Sequence, residues 1–140
     1  MNEGIELLAV DFDLRTLVQV RHDVERTCAH VGLVDKALYW FVVAVNEITT
    51  NAVRHGGGQG RLRLWRAEHR LHCEVADKGP GIPSDQHGRV RPSPYTLGGR
   101  GLWLARQGCE SLTLDSGPHG STVTLAQLLP QLSPSQSTAG

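Results

Sequence analysis

Two polar residues one helical turn apart are the first candidates for chemistry in this chain of 140 residues. Glu47 and Asn51 lie near the end of a long apolar stretch with helical spacing, so their side chains share one face, with His55 one further turn along. Mg²⁺ prefers oxygen ligands and keeps several waters, so an amide oxygen plus phosphate oxygens can hold it. This face is a candidate Mg-phosphate surface. The alternative is an ordinary solvated helix face.

Glycine-rich segments follow this helix. Residues 77–82 read DKGPGI after a strand-like run, residues 97–102 read LGGRGL before a helical segment, and residues 120–122 (GST) open the last strand. Glycine lets a backbone approach a ligand closely and turn sharply, and free N–H groups at a helix start suit phosphate. Taken alone, DKGPGI also fits a β-turn and GGRG a plain helix start. All the segments in this order predict an ATP site.

Apolar periodicity predicts the elements that position these segments. Apolar residues at steps of three and four indicate a helix over residues 14–31, which Asp11 or Asp13 could cap, and a second from about Asp35 to His55. The second helix has the apolar stripe Leu38, Phe41, Val45, Ile48 and Ala52. The other predicted elements are strands at 5–10, 61–67, 71–76, 111–115 and 122–126 and a short helix over 102–108.

Two segments lack this apolar pattern. Residues 83–98 are rich in proline and glycine and form a loop of about sixteen residues, a length that favours a function such as closing over bound phosphates. Residues 127–140 are rich in Ser, Gln and Pro and are expected to be a disordered tail. The sequence therefore predicts a single domain over residues 1–126.

Composition excludes several function classes. Fourteen basic and fourteen acidic residues leave no net charge, which argues against direct nucleic acid binding or an anionic membrane partner. The cysteines Cys28, Cys73 and Cys109 are widely spaced without any CxxC, which argues against a disulfide framework or a zinc site. No signal peptide opens the chain, and no apolar run reaches the roughly 18 to 20 residues of a membrane span. A cytoplasmic protein is expected.

The motifs resemble the sequence boxes of the GHKL ATPase superfamily, at residues 46–56 (NEITTNAVRHG), 77–82, 98–107 (GGRGLWLARQ) and 120–125 (GSTVTL). The short form is similar to the anti-sigma factor serine/threonine kinases and related ATP-binding regulators. The resemblance, which covers about residues 12–126, implies the Bergerat fold, an α/β two-layer sandwich with a mixed, mainly antiparallel sheet and helices on one face. It implies ATP and Mg²⁺ as cofactors and an anti-sigma-factor antagonist, a sigma factor or both as protein partner. Self-association into a homodimer stays open.

The resemblance also implies roles for single residues. Glu47 is expected to be the general base for an attacking hydroxyl or water, and Asn51 the ligand of Mg²⁺. Asp77 is expected to accept a hydrogen bond from the adenine amino group, with Thr122 reaching the same base edge through a water. For His55, a helix C-terminal cap is the alternative to a ligand contact. The further expected nucleotide contacts are His55, Gly79, Gly81, Ile82, Gly99, Arg100, Gly101 and Leu102.

One departure from the family pattern leaves two function classes open. Several kinases of the family have a basic residue just before the second glycine box, where this chain has Leu97 and Gly98, and Arg100 is the nearest substitute as a phosphate clamp. The first class is a serine/threonine kinase that phosphorylates a small antagonist protein. The second is an ATP-dependent regulator that binds a protein without phosphorylating it. A histidine kinase is disfavoured, because no segment fits a phosphoacceptor helical hairpin.

Overall fold

Helices and strands alternate in groups along the chain, which a computed structural model describes at residues 4–83, 86–89 and 101–130. The described elements are β1 (Ile5–Asp13), α1 (Leu17–His30), α2 (Asp35–His55), β2 (Gln59–Ala67), β3 (Arg70–Asp77), α3 (Gly101–Gln107), β4 (Ser111–Gly117) and β5 (Gly120–Leu128). Among these residues, no helix has both the length and the apolar character needed to cross a bilayer.

The five strands form one sheet in the order β1-β2-β3-β5-β4. The predicted α/β fold is confirmed, but all four described pairings are antiparallel, so the parallel pairing implied by a mixed sheet does not occur among them. Tight turns explain two of these pairings, because a turn of two residues can only return the chain antiparallel. Glu68 and His69 form one such turn, and both have the positive φ typical of a type I′ hairpin (52° and 68°).

The core lies between the sheet and the helices. Every second strand residue points to the helices, as the pleat requires. The predicted apolar stripe of α2 is confirmed at Phe41, Val45, Ile48 and Ala52, which are buried, while Leu38 packs at the edge of the core. Glu47 and Asn51 are half-buried and lie off this stripe. The inward-facing strand residues include Phe12, Leu62, Leu64, Leu71, Cys73, Val75, Val123 and Leu125.

Several predicted boundaries were wrong by a few residues, and a hydrogen bond explains the difference at each end of the domain. Helix α1 begins at Leu17 rather than residue 14, because Asp13 Oδ1 accepts the N–H groups of Arg15 (2.9 Å) and Thr16 (3.1 Å) in a turn before the helix. The carboxylate stabilises this turn and does not cap the helix itself. At the other end, β5 continues to Leu128, and the N–H of Leu129 donates to the carbonyl of His69 at 2.7 Å. Residues 127–129 therefore belong to the domain, and residues 131–140 lie outside the described part.

Candidate functional site

Helix α3 begins against the face of α2 that carries Glu47 and Asn51. A Cβ placed on Gly101 would lie 3.0 Å from Glu47 Oε1 and 3.4 Å from Asn51 Oδ1. A Cβ at Gly101 would therefore be tight against Glu47 and in ordinary contact with Asn51. Three residues predicted for the site are thus brought together here. Leu102, the next predicted contact, is 1% exposed and is part of the core that holds α3 in place.

The carboxyl group of Glu47 is held in an unfavourable environment for its charge. Burial raises its pKa above the usual value, while the positive charges of Arg21 and Arg54 oppose this rise. Arg21, on α1, donates from Nη2 to Thr50 Oγ1 at 2.5 Å and so bridges the two helices beside Glu47. A carboxylate with a raised pKa is a better proton acceptor near neutral pH. Sequence reasoning missed Arg21, because no local pattern links a residue on α1 to one on α2.

Asp77, the last residue of β3, has its carboxylate fixed by two backbone donors. Asp77 Oδ1 accepts the N–H of Gly79 at 2.9 Å and that of Ser121 at 3.2 Å. A Cβ on Gly56 would lie 2.3 Å from Asp77 Cγ, so the carboxylate lies directly against the end of α2. Since α2 rises 1.5 Å per residue, this end is about 7 Å along the helix from Asn51. Helix α2 therefore sets the distance between Asp77 and the face that carries Glu47 and Asn51.

The first glycine after Asp77 packs backbone against backbone on the end of α2. A Cβ on Gly79 would lie 2.4 Å from Gly56 Cα and 2.7 Å from the carbonyl oxygen of His55. His55 is the last residue of α2 and is half-buried. The structure therefore places the backbone of His55 at this contact, and a ligand role for its imidazole stays a prediction.

Ser121, rather than the predicted Thr122, shares a side of the sheet with Asp77. In the β3–β5 register Asp77 pairs with Ser121 and Ala76 with Thr122, so the side chains of Asp77 and Ser121 face the helices and that of Thr122 faces away. Sequence reasoning began this strand at Thr122, whereas it begins at Gly120. The general rule that alternate residues share a face could have identified Ser121, because Val123 and Leu125 are clearly apolar.

The rest of the DKGPGI segment is anchored to β4. The N–H of Ile82 donates to Ser116 Oγ at 2.7 Å, and Ser116 Oγ lies 2.9 Å from Ser121 Oγ. Gly81 has φ of +95°, and a Cβ there would lie 2.5 Å from the carbonyl oxygen of Gly117. These contacts fix the segment against β4, and the predicted approach of its glycines to a ligand stays a prediction. Gly99, Arg100 and most of the predicted 83–98 loop lie outside the described residues.

A cleft lies at the Asp77 end of the site. This cleft of about 650 Å³ reaches Gly56 and Asp77, and Glu47, Asn51 and Gly101 do not line it. It opens towards the ion pair of Arg61 and Asp11, whose closest N–O distance is 3.0 Å. Its remaining lining residues are Gly57, Gln59, Gly60, Ala76 and Lys78. The site therefore consists of two clusters joined by α2, one around Asp77 and one around Glu47 and Asn51.

The backbone contact at Gly79 gives a first prediction. Gly79→Ala is expected to lower the free energy of unfolding by about 1 to 3 kcal/mol, because the new methyl group meets backbone atoms that cannot rotate away. Gly117→Ala is the matched control, since a Cβ there meets nothing within 4 Å, and a change below about 0.5 kcal/mol is expected. Urea unfolding measures both. Equal effects would show that the Gly56–Gly79 contact can relax.

The environment of Glu47 gives a second prediction. Its pKa is raised in the folded state, so the ionised group costs stability above that pKa, and the cost disappears below the unfolded value of about 4.5. Glu47→Gln should therefore raise the melting temperature at about pH 7.5, with a gain that shrinks as the pH falls. Glu110→Gln is the control, and its melting temperature is expected to change in the opposite direction. A hydrogen bond from Arg70 lowers the pKa of Glu110, so this variant should lose stability at about pH 7.5 and approach the parent protein on acidification. A melting temperature of Glu47→Gln at or below that of the parent at about pH 7.5 would contradict the burial argument.

Comparison with known proteins identifies the family of the chain. Residues 10–127 match the family model of the histidine kinase-like ATPase domain. The chain is 28% identical over 139 residues to the signal transduction histidine-protein kinase AfsQ2 of Streptomyces coelicolor, covering 90% of this chain and 23% of AfsQ2. The chain therefore spans about a quarter of the length of this curated relative.

Solved structures show the same fold at low sequence identity. The structure of the RsbU and RsbW domains of Rv1364c from Mycobacterium tuberculosis has a TM-score of 0.63 and 20% identity, over 87% of this chain and 31% of that one. The mycobacterial sensor histidine kinase MprB has a TM-score of 0.56 and 18% identity, over 89% of this chain and all of that one. With the family match over most of its length, the chain belongs to the histidine kinase-like ATPase domain family of the GHKL superfamily.

Proposed function

We propose that this domain binds Mg-ATP and acts as a regulatory serine/threonine kinase of the anti-sigma factor type, which phosphorylates a small antagonist protein, sequesters a sigma factor or does both. The observation that carries the proposal is that α2 holds Glu47 and Asn51 beside the start of α3 and, one to two turns on, fixes Asp77 against its end. GHKL ATPase domains bind ATP, generally with Mg²⁺. One helix therefore positions a candidate partner for each end of a nucleotide.

At the end of the site proposed to hold the adenine ring, Asp77 is the residue proposed to recognise adenine. Its carboxylate is already oriented by the N–H groups of Gly79 and Ser121, so it would accept a hydrogen bond from an amino group without reorganising. Guanine has a carbonyl oxygen where adenine has this amino group, and that oxygen would be repelled. The buried hydroxyl of Ser121 lies on the same side and takes the role that the sequence assigned to Thr122.

At the phosphate end, Asn51 is the proposed protein ligand of Mg²⁺. No group of three or more His, Cys, Asp or Glu side chains in the described part of the chain could hold a metal alone. One amide oxygen with phosphate oxygens and waters is a donor set that suits Mg²⁺, which is bound in many phosphoryl-transfer sites through substrate phosphates. Gly101 leaves the amide of Asn51 accessible from the α3 side, because it has no side chain.

Glu47 is the proposed general base. It would accept the proton of an attacking serine or threonine hydroxyl while the hydroxyl oxygen bonds to the γ-phosphorus and the bond to the β-phosphate oxygen breaks. Burial raises its pKa, which increases its basicity, and Arg21 and Arg54 keep the ionised form accessible. This balance fits a proton acceptor better than a solvated surface carboxylate.

A second candidate function is an ATP-dependent binding module without phosphoryl transfer. The absence of a basic residue just before the second glycine box favours it, because Leu97 and Gly98 offer no positive charge to a terminal phosphate. Because the relatives include histidine kinases, the residue that accepts the phosphoryl group has to be identified by experiment. Incubation with labelled ATP and candidate antagonist proteins decides between these functions. Acid-stable label on an antagonist supports the serine/threonine kinase, acid-labile label indicates histidine, and no label favours the binding module.

The assignment of Asp77 predicts nucleotide selectivity. Asp77→Asn keeps an oxygen that can accept from Gly79 and Ser121 but replaces the second carboxylate oxygen with a donor. ATP affinity should fall roughly tenfold to a hundredfold, since a hydrogen bond to a charged group is worth about 1.5 to 3 kcal/mol. Calorimetry with ATP on the parent protein and on Asp77→Asn measures this loss, and calorimetry with GTP on the parent protein measures selectivity. Equal affinity of the parent protein for the two nucleotides would contradict the assignment.

The roles of Glu47 and Asn51 can be separated. Glu47→Gln should retain Mg-ATP binding and lose roughly 100- to 10,000-fold in phosphoryl transfer, the usual contribution of a general base. Asn51→Ala should weaken Mg-ATP binding itself and should affect binding of adenosine, which has no phosphates, much less. Gln19→Ala, on the exposed side of α1, is the control. If both variants matched the parent protein in binding and turnover, the α2 face would be an ordinary solvated surface.

A further inference from the structure

Arg106, in the last turn of α3, joins this helix to two other segments. Its Nε donates to the carbonyl oxygen of His87 at 3.0 Å, and its Nη1 donates to that of Leu112 at 3.3 Å. Both contacts are partly buried. A guanidinium group has several donors in a fixed planar arrangement, so it can hold two carbonyl groups in one relative orientation. Arg106 therefore fixes α3 both to residues 86–89 and to the start of β4.

Residues 86–89 are in turn connected to the Asp77 cluster. His87 Nε2 lies 2.7 Å from the carbonyl oxygen of Ile82. Ile82 is linked through Ser116 Oγ to Ser121, whose N–H donates to Asp77. A series of hydrogen bonds therefore connects the guanidinium of Arg106 to the carboxylate of Asp77. Successive bonds are joined through the covalent structure of His87, Ile82 and Ser121.

The same segment also lies on the backbone of α3. A Cβ on Gly88 would lie 2.5 Å from both the N of Trp103 and the carbonyl carbon of Leu102, so the two backbones are in direct contact. Two residues before Trp103 is Gly101, which lies beside Glu47 and Asn51. Helix α3 therefore touches the Glu47–Asn51 cluster at its first residue and connects to the Asp77 cluster along its length.

We propose that Arg106 is a positioning residue that makes ligand binding at the Asp77 cluster and at the Glu47–Asn51 cluster depend on each other. The inference rests on the proposed function, in which a nucleotide occupies both clusters. Arg106 contacts neither cluster directly and acts by fixing α3 between them. A ligand that spans both clusters gains from this fixed spacing, whereas a ligand at Asp77 alone does not.

The test compares adenosine with Mg-ATP. Arg106→Met is expected to raise the Kd for Mg-ATP about tenfold, equivalent to about 1.4 kcal/mol, because part of the binding energy is then used to restore the spacing between the clusters. The Kd for adenosine should change less than about twofold. Arg106→Lys should have an intermediate effect, since an ammonium group donates without the planar geometry of arginine. Arg26→Met, which removes an exposed arginine paired with Asp23, is the matched control and should change neither Kd.

Hydrogen exchange provides a readout that needs no nucleotide. Amide exchange at Gly88 and Trp103 should be faster in ligand-free Arg106→Met than in the parent protein and unchanged in Arg26→Met. If Arg106→Met does not fold, His87→Ala removes only the link to Ile82, and the selective loss of Mg-ATP affinity, about threefold, should still appear.

The outcomes distinguish this inference from the proposed function. Equal loss of adenosine and Mg-ATP affinity, or no loss of either, would overturn the role of Arg106 and leave ATP binding intact. Unchanged exchange at Gly88 and Trp103 would also overturn it. A parent protein that binds neither adenosine nor Mg-ATP would overturn the proposed function and this inference together.

Discussion

The backbone contact between Gly56 and Gly79 is the constraint on which the rest of the site depends. It brings the end of β3 against the end of α2 at a distance that no side chain allows. The carboxylate of Asp77 belongs to the sheet, and the polar face of Glu47 and Asn51 belongs to the helix. This contact therefore sets the distance between the two clusters of the site. If these ends separated, each residue could keep its local conformation and the spacing between the clusters would still be lost.

Much of this arrangement could be predicted from sequence, because it depends on local periodicity. The apolar stripe of α2 places Glu47 and Asn51 off the core, and the glycines of residues 77–82 indicate close backbone contacts. The two-layer fold followed from the resemblance to a known family. Boundaries were less accurate where a side chain competed with the backbone, as Asp13 does before α1.

The interactions that the sequence did not predict are those between elements distant in the chain. Ser121 was missed because the role was assigned to its neighbour Thr122, and successive residues of a strand face opposite sides of the sheet. Arg21 and Arg106 were missed for a different reason. Arg21 donates to Thr50, and Arg106 donates to two carbonyl groups. An arginine has a long side chain, and packing between distant elements decides which partners it reaches. No fixed spacing in the sequence indicates such partners.

Glu47 shows how function and stability oppose each other in this fold. Burial raises the free energy of its ionised form, whereas Arg21 and Arg54 lower it. A more exposed carboxylate would be more stable and a weaker base, and a fully buried one without these cations would stay protonated and accept no proton. The basicity of Glu47 is therefore not a property of α2 alone. It depends on burial within the fold and on how α1 places Arg21 beside this face of α2, so a helix without a proposed catalytic group still determines what that group can do.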